Sequence, residues 1–349
     1  MHLAASRITL ADLAAQLNLS TATVSRALRG DEVVNEETRT RVNTLAGELG
    51  YSPRRASRAL SQSGSTLRKG FGLIQPLNSF AFEDPLLLDF VGGMASRTLD
   101  FGRLFHLIPT EVSQEERCYD TVLDLDYLDG FVLLNARPTS DWRIDYLQSR
   151  GIPFVMHGRG SENTIFPCLD VGFRRGHRLA TTHLIELGHQ AIALLNSLPG
   201  TLAAAEWEAG YREAMATAGL SVRANWMLQG PKTEEFGYHA TRQLLQSEPS
   251  PTAAIYSNVL SAKGAVQALS DLGITIGRDF SLIAYDDQLP GAFYGVPITT
   301  IFAPCRPMGS RLVELLDEAV AGESPELLQD RFEPELVVRS STASRADGP

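Results

Sequence analysis

Cysteine is scarce in this 349-residue sequence: there are three, Cys118, Cys168 and Cys305, an odd number with no CxxC pair. That excludes a disulfide framework and a cysteine-rich zinc site, and the expectation is reduced thiols in a cytoplasmic protein. No stretch of 18 apolar residues occurs, so a transmembrane helix is not expected. The opening MHLAASRITLADLAAQ has no apolar run behind a charged start and does not read as a signal peptide. A P-loop, a GxGxxG turn and a GxSxG elbow are all missing. His177, His183 and His189 stand six apart. Such steps turn about 240° on a helix, so the three cannot share a face and no metal site is expected. Asp286 and Asp287 are adjacent and would point to opposite faces of a strand, which is not an acid/base pair. Neither a cofactor nor an enzyme activity is indicated.

Negative charge is present in excess, with a net charge of −10, but it is unevenly spread. Residues 1–69 hold ten Lys/Arg against six Asp/Glu, and the remainder holds 21 against 35. A basic head on an acidic body lets the head dock on nucleic acid while the body is repelled.

The head is written in caps and short periodic stretches. Thr9 can cap a first helix with Asp12 as its capping-box partner. Leu10, Leu13, Ala14 and Leu17 then form one apolar face. Asn18-Leu19 makes a turn, and Ser20 caps a second helix from Thr21 to about Leu28. Val24, Ala27 and Leu28 are expected to pack inward, leaving Thr21, Ala22, Ser25 and Arg26 outside. Two helices joined by so short a turn read as a helix-turn-helix, whose second helix enters the major groove. Asn35 caps a third helix with Val42, Leu45, Ala46 and Leu49 as its stripe, and Gly50 stops it. A bundle that merely packs is the plain alternative. The stretch from Tyr51 to Lys69 carries Arg54, Arg55, Arg58, Arg68 and Lys69 and no acid. Ser52-Pro53 can start a short helix there, one that is marginal alone in water and formed against DNA.

From residue 70 strands alternate with helices. FGLIQPL (71–77), LFHLIPT, FVLLNA (131–136), IPFVMHG, AIALLNS, ANWMLQG, AAIYSN and SLIAYDD read as strands. Between them, helices are expected at LLLDFVGGMASRTLDFG, DWRIDYLQSRG (capped by Thr139 or Ser140), RRGHRLATTHLIELGHQ, AAEWEAGYREAMATAGL, EEFGYHATRQLLQSE and SAKGAVQALSDLGI. Alternation of this kind means βαβ units and parallel sheets, here enough for two lobes with a ligand cleft between them. Ligands in such folds sit beyond the C-terminal ends of strands, where Asn135, Asn258 and Asp286 stand.

Together these residues resemble the LacI/GalR family of bacterial transcription regulators. The resemblance covers the whole chain and is densest in TLADLA, STATVSRAL and the later YSPxxxxRAL. It implies an all-α helix-turn-helix head (1–50), a hinge helix and linker (51–69), and an α/β two-lobed body like periplasmic sugar-binding proteins (70–341). The amino-terminal lobe would take about 70–168 and 301–329, the carboxy-terminal lobe about 169–299 and 330–341, and 342–349 would fray. By the resemblance Thr21, Ala22 and Arg26 read bases, Arg26 pairing with a guanine. Thr9, Ser20, Thr23 and Ser25 position the backbone, as does Arg29, which stands where the family usually has Asn. Arg54, Arg55, Ser57, Arg58 and Leu60 belong to a hinge in the minor groove, with Leu60 as the wedge. The partners implied are an operator duplex, a second copy of the chain, and a small effector, a sugar or sugar derivative.

Asn258 and Asp286 match polyol-binding positions of the family, and Asn135 lies within a residue of one. Three departures follow. Trp207 stands where an Arg is common, and is either a stacking platform for a pyranose or a packing residue. Lys232 replaces an aromatic and either faces the cleft or is solvated surface. Gly158 replaces an Asp and is followed by Arg159, which could neutralise an acidic sugar. The leading function is a ligand-controlled repressor of carbohydrate-utilisation genes, acting on a pseudo-palindromic operator as a homodimer. The alternatives are an activator or co-repressor-type regulator of the same family, a solute-binding protein, and a sugar-modifying enzyme. Residues 336–349 hold no heptad repeat, so a dimer is expected rather than a tetramer.

Overall fold

A computed structural model describes residues 10–28, 34–48, 69–76, 85–159, 165–285 and 295–345. Two compact units are distinguished, one containing the amino-terminal helices and the other the two sheets.

The first unit holds α1 (Leu10–Leu17), α2 (Thr21–Leu28) and α3 (Glu36–Glu48). Its small core is Leu13, Ala14, Val24, Ala27, Val34, Val42 and Ala46, with Leu17, Leu19 and Leu45 partly buried around them. Leu13, Ala14, Leu17, Val24, Ala27, Val42, Leu45 and Ala46 come from the faces that periodicity assigns, while Leu19 and Val34 are added from the residues just before α2 and α3. The turn between α1 and α2 is closed by Asn18 in the left-handed region (φ 52°), which an Asn tolerates better than most residues. Thr9, Arg29, the whole 51–68 segment and the side chains of Thr21, Ala22, Ser25 and Leu28 lie outside the described residues.

The second unit contains two six-stranded sheets. The first is built from β1 (Gly70–Pro76), β2 (Phe105–Thr110), β3 (Leu128–Leu133), β4 (Phe154–His157), β5 (Cys168–Val171) and β11 (Gln329–Phe332), in the order β11-β5-β4-β3-β1-β2 and all parallel. The second is built from β6 (Ile192–Ser197), β7 (Met227–Gly230), β8 (Ala253–Tyr256), β9 (Ser281–Tyr285), β10 (Thr299–Phe302) and β12 (Glu335–Val337), in the order β12-β10-β9-β8-β6-β7. Only β12 runs antiparallel to its neighbour. The inner strands β6, β8 and β9 are buried along their whole length, as parallel strands covered on both faces must be.

The helices are α4 (Pro85–Asp100), α5 (Glu115–Leu125), α6 (Trp142–Gln148), α7 (Phe173–Glu186), α8 (Leu202–Thr217), α9 (Glu234–Leu245), α10 (Val259–Asp271) and α11 (Cys305–Val320). They cross closely where glycine allows it. A Cβ on Gly237 of α9 would lie 2.0 Å from the Ser261 carbonyl oxygen of α10, and one on Gly210 of α8 would lie 2.1 Å from that of Arg174 in α7. The chain passes between the sheets at Gly172, at Ala303-Pro304 and at Glu333-Pro334, a few residues after each of the expected crossings. The reason is that β5, β10 and β11 each continue their ladder to Val171, Phe302 and Phe332.

The carboxy-terminal residues correct the expectation of a tail that frays from 342. Thr342 meets His183 Nε2 (3.0 Å), the Ala343 amide donates to Ser281 Oγ (3.2 Å), and the Arg345 amide donates to the Leu187 carbonyl (2.7 Å). Polar side chains on α7 and β9 give this segment partners that its own composition does not announce. Helix α6 brings a second correction. Its cap is Asp141, whose carboxylate accepts from the Arg143 amide, rather than Thr139 or Ser140.

Candidate nucleic-acid interface and effector cleft

Helix α2 is fixed at its start by Ser20, whose Oγ accepts from the Thr23 amide (3.1 Å) and pairs with Thr23 Oγ1 (2.8 Å). Asn35 caps α3 in the same way through the Thr38 amide (2.8 Å). With Val24 and Ala27 fully buried, the turn of α2 leaves Arg26 exposed on the opposite side. An exposed Arg near the end of a helix whose other face is consumed by a core is a cation held ready for an external acceptor.

In the second unit, the lobes meet along a seam formed by strand ends and helix starts. The amide of Leu202, the first residue of α8, donates to the Ala136 carbonyl just beyond β3 (2.7 Å). Gly158 follows β4 with φ 96°, a conformation open to glycine, and a Cβ there would sit 3.5 Å from Ala136 Cβ and 3.6 Å from Leu202 Cδ2. An aromatic chain crosses the seam: Phe90 to His157 (4.9 Å between centroids), His157 to Phe173 (5.9 Å), Phe173 to Trp207 (6.0 Å), and Trp207 to Tyr285 (5.3 Å).

The loop that carries Asn135 and Ala136 is braced by a buried ion network. Arg143 is 3% exposed and binds Asp141 through Nε (2.8 Å) and Nη2 (2.6 Å). It also donates to the Asn135 carbonyl (3.3 Å) and approaches Glu115 (3.6 Å), which Arg137 binds at 2.7 Å. Burial by itself would raise the Asp141 carboxyl, but the hydrogen bonds and charge of Arg143 outweigh it and hold the group below its ordinary range.

The expected effector residues fare unequally. Asn135 is exposed in a left-handed turn (φ 55°), the conformation of a turn residue. Asn258 is 5% exposed and fully engaged at home: its Oδ1 caps α10 at the Ser261 amide (2.8 Å) and its Nδ2 donates to Ser261 Oγ (2.9 Å). A strand end is also a helix start, and both a cap and a ligand contact favour Asn there. Arg159 is exposed, its backbone amide donating to Asp170 (3.3 Å).

Trp207 is 3% exposed, with His177 stacked on it (5.4 Å, 28° between planes) and Lys232 Nζ 5.8 Å from its ring centroid. Its faces are taken, which corrects the idea of an open platform. Lys232 is half-buried, and its charge acts on His157 across the seam. Asp286 lies outside the described residues.

His157 and His177 were not anticipated as site residues. Burial, reinforced by Lys232, pushes His157 down to about 4, and burial pushes His177 down to about 3 against the opposing Phe173 carbonyl. Both rings are therefore uncharged near neutrality. His177 Nε2 meets Ser257 Oγ (3.3 Å). Trp207 Nε1 and His157 Nε2 are sealed from solvent and have no hydrogen-bond partner among the described residues. The only sequence signal for His157 was its place at the end of a strand.

His183 and His189 turn away to Thr342 and to Thr252 and Ser281. Among the described residues no group of three or more His, Cys, Asp and Glu could hold a metal ion, and no helix is long and apolar enough to cross a membrane.

Comparison with known proteins places both units. Residues 9–54 match the family described as bacterial regulatory proteins, lacI family, and residues 181–342 match the periplasmic binding protein-like domain. The chain is 33% identical over 344 residues to the HTH-type transcriptional regulator AglR of Rhizobium meliloti, covering 97% of this chain and 96% of that one. It is 30% identical to the HTH-type transcriptional repressor PurR of Pasteurella multocida, covering 97% and 99%. Among solved structures, the transcriptional regulator CelR in complex with cellobiose superposes with a TM-score of 0.71 at 27% identity, covering 96% of this chain and 100% of that one. The lac repressor dimer bound to operator and the anti-inducer ONPF superposes at 0.69 and 25%, covering 97% and 100%. With a helix-turn-helix head, a two-sheet body and relatives matched over nearly their full length, this chain belongs to the LacI family of bacterial transcriptional regulators.

Proposed function

We propose that the protein is a repressor of carbohydrate-utilisation genes that binds a pseudo-palindromic operator as a homodimer and is controlled by a sugar held between its lobes. The observation that carries this reading is the pairing of a capped α2 bearing exposed Arg26 with a seam of aromatic rings and ring nitrogens that have no partner among the described residues. The relatives support it: the lac repressor was solved as a dimer on operator, and CelR with cellobiose. Thr21, Ala22 and Arg26 read base edges in this proposal. Ser20, Thr23 and Ser25, with Thr9 and Arg29, hold the phosphates, while Arg54, Arg55, Ser57, Arg58 and Leu60 occupy the minor groove. Effector and operator are then coupled reciprocally by about 1–3 kcal/mol.

A gel shift with the gene's own upstream DNA tests the reading. The wild type should select one fragment over scrambled competitor, with an affinity that falls steeply with salt. Arg26→Ala should relax discrimination at one base position by about 1–3 kcal/mol. A uniform loss across sequences would make Arg26 a phosphate contact instead, and light scattering at the tetramer mass would sink the dimer.

A further inference from the structure

We propose that the effector is an uncharged sugar read at the lobe seam by the indole N–H of Trp207 and by Nε2 of His157, two groups on opposite lobes. The inference rests on the sugar-effector reading above and names the side chains that carry it.

Both nitrogens are sealed and lack a partner among the described residues, and a buried polar atom in that condition is destabilising until something pairs with it. The indole nitrogen is a donor only and calls for an oxygen acceptor. The imidazole is kept uncharged by burial and by Lys232, so it offers one lone pair and one N–H. A hydroxyl, which both gives and takes, suits such a ring. A carboxylate or phosphate only accepts, and would draw a proton onto His157 against its burial.

The surroundings are apolar: Phe90 and Phe173 flank His157 at 4.9 and 5.9 Å, and Phe173 and Tyr285 flank Trp207 at 6.0 and 5.3 Å. Since His177 covers Trp207 and Lys232 lies over its ring, the indole contributes its N–H rather than a stacking face.

Calorimetric titration of the full chain decides the matter, with cellobiose, maltose, sucrose, glucuronate and glucose 6-phosphate as probes. A neutral sugar should bind the wild type. Trp207→Phe, which keeps the ring and removes the N–H, and His157→Phe should each weaken it about tenfold. Without ligand the melting temperature should hold or rise, since each Phe removes a buried polar atom that lacks a partner among the described residues, and His157→Gln, which restores a donor and an acceptor, should recover part of the binding loss. Unchanged affinity in Trp207→Phe or His157→Gln, or tighter binding of glucuronate or the phosphate than of any neutral sugar, overturns the inference alone. A wild type that ignores every probe overturns the sugar-effector reading along with it.

Discussion

His177 makes the stability of the body depend on pH in a range where most proteins are indifferent. The ring is fully buried between Trp207 and Tyr285, and burial lowers its pKa to about 3 from the ordinary 6.5. The unfolded chain takes up a proton below 6.5, while the native state does not until near 3. Between those values the unfolded state therefore binds more protons, and the native state loses ground as the pH falls. Stability is full above 6.5 and declines by about 1.4 kcal/mol per pH unit below it, so the loss at pH 5 is about 2 kcal/mol from this ring.

His157 works in the same sense, in smaller measure because part of its side chain reaches solvent, and the lowered His106, His183 and His189 add to it. The carboxylates held low, such as Asp141 and Asp330, lose their stabilisation only at more acid pH. All three tryptophans lie in the body, so urea unfolding followed by their fluorescence reports on this unit. Wild type and His177→Phe should be compared at pH 7.5 and 5.0, and the variant should lose about 2 kcal/mol less on acidification. Equal losses in the two proteins would refute the argument.

Three further outcomes follow from the packing. Arg143→Met leaves Asp141 buried without the guanidinium that binds it, while Glu115 keeps Arg137, and should cost about 3–5 kcal/mol in urea unfolding; a change under 1 kcal/mol would mean that water replaces the guanidinium. Gly237→Ala drives a methyl to within 2.0 Å of the Ser261 carbonyl oxygen and should destabilise the α9–α10 crossing by about 1–3 kcal/mol or more, measured by thermal melting. Asn258→Ala removes a cap and should cost about 1 kcal/mol of stability while sugar affinity in calorimetry stays within about twofold; a loss of binding without a loss of stability would restore Asn258 to the ligand.

How much of this was legible in the sequence depended on how far each decision reached along the chain. Ser20, Asn35, Val24 and Val42 settle their roles within three or four residues, through caps and a helical period, and the head could be read almost residue by residue. The long apolar strands β1, β6 and β9 announce themselves in the same local way. Short β5, β11 and β12 do not: residues such as Gln329-Asp330-Arg331 show no apolar alternation and become a strand only because Cys168–Val171 offers a ladder 161 residues away.

Side-chain roles in the cleft reach further still. Three polar residues before α6 could each have capped it, and Asp141 prevails because Arg143, tied back to the Asn135 carbonyl, also binds its carboxylate. Whether Trp207 presents a face or an edge is decided by His177, 30 residues before it, and by Tyr285, 78 residues after it. Asn258 is expected at the ligand by its strand end and by the family's polyol-binding positions, but that strand end is also a helix start, and its side chain caps the Ser261 amide. In an α/β cleft the residue types that suit a sugar are the ones that suit a helix N-terminus. If the proposed sugar binds at the seam, its polar groups are expected at buried atoms without a partner among the described residues, such as Trp207 Nε1 and His157 Nε2, rather than at polar residues whose bonds are already made.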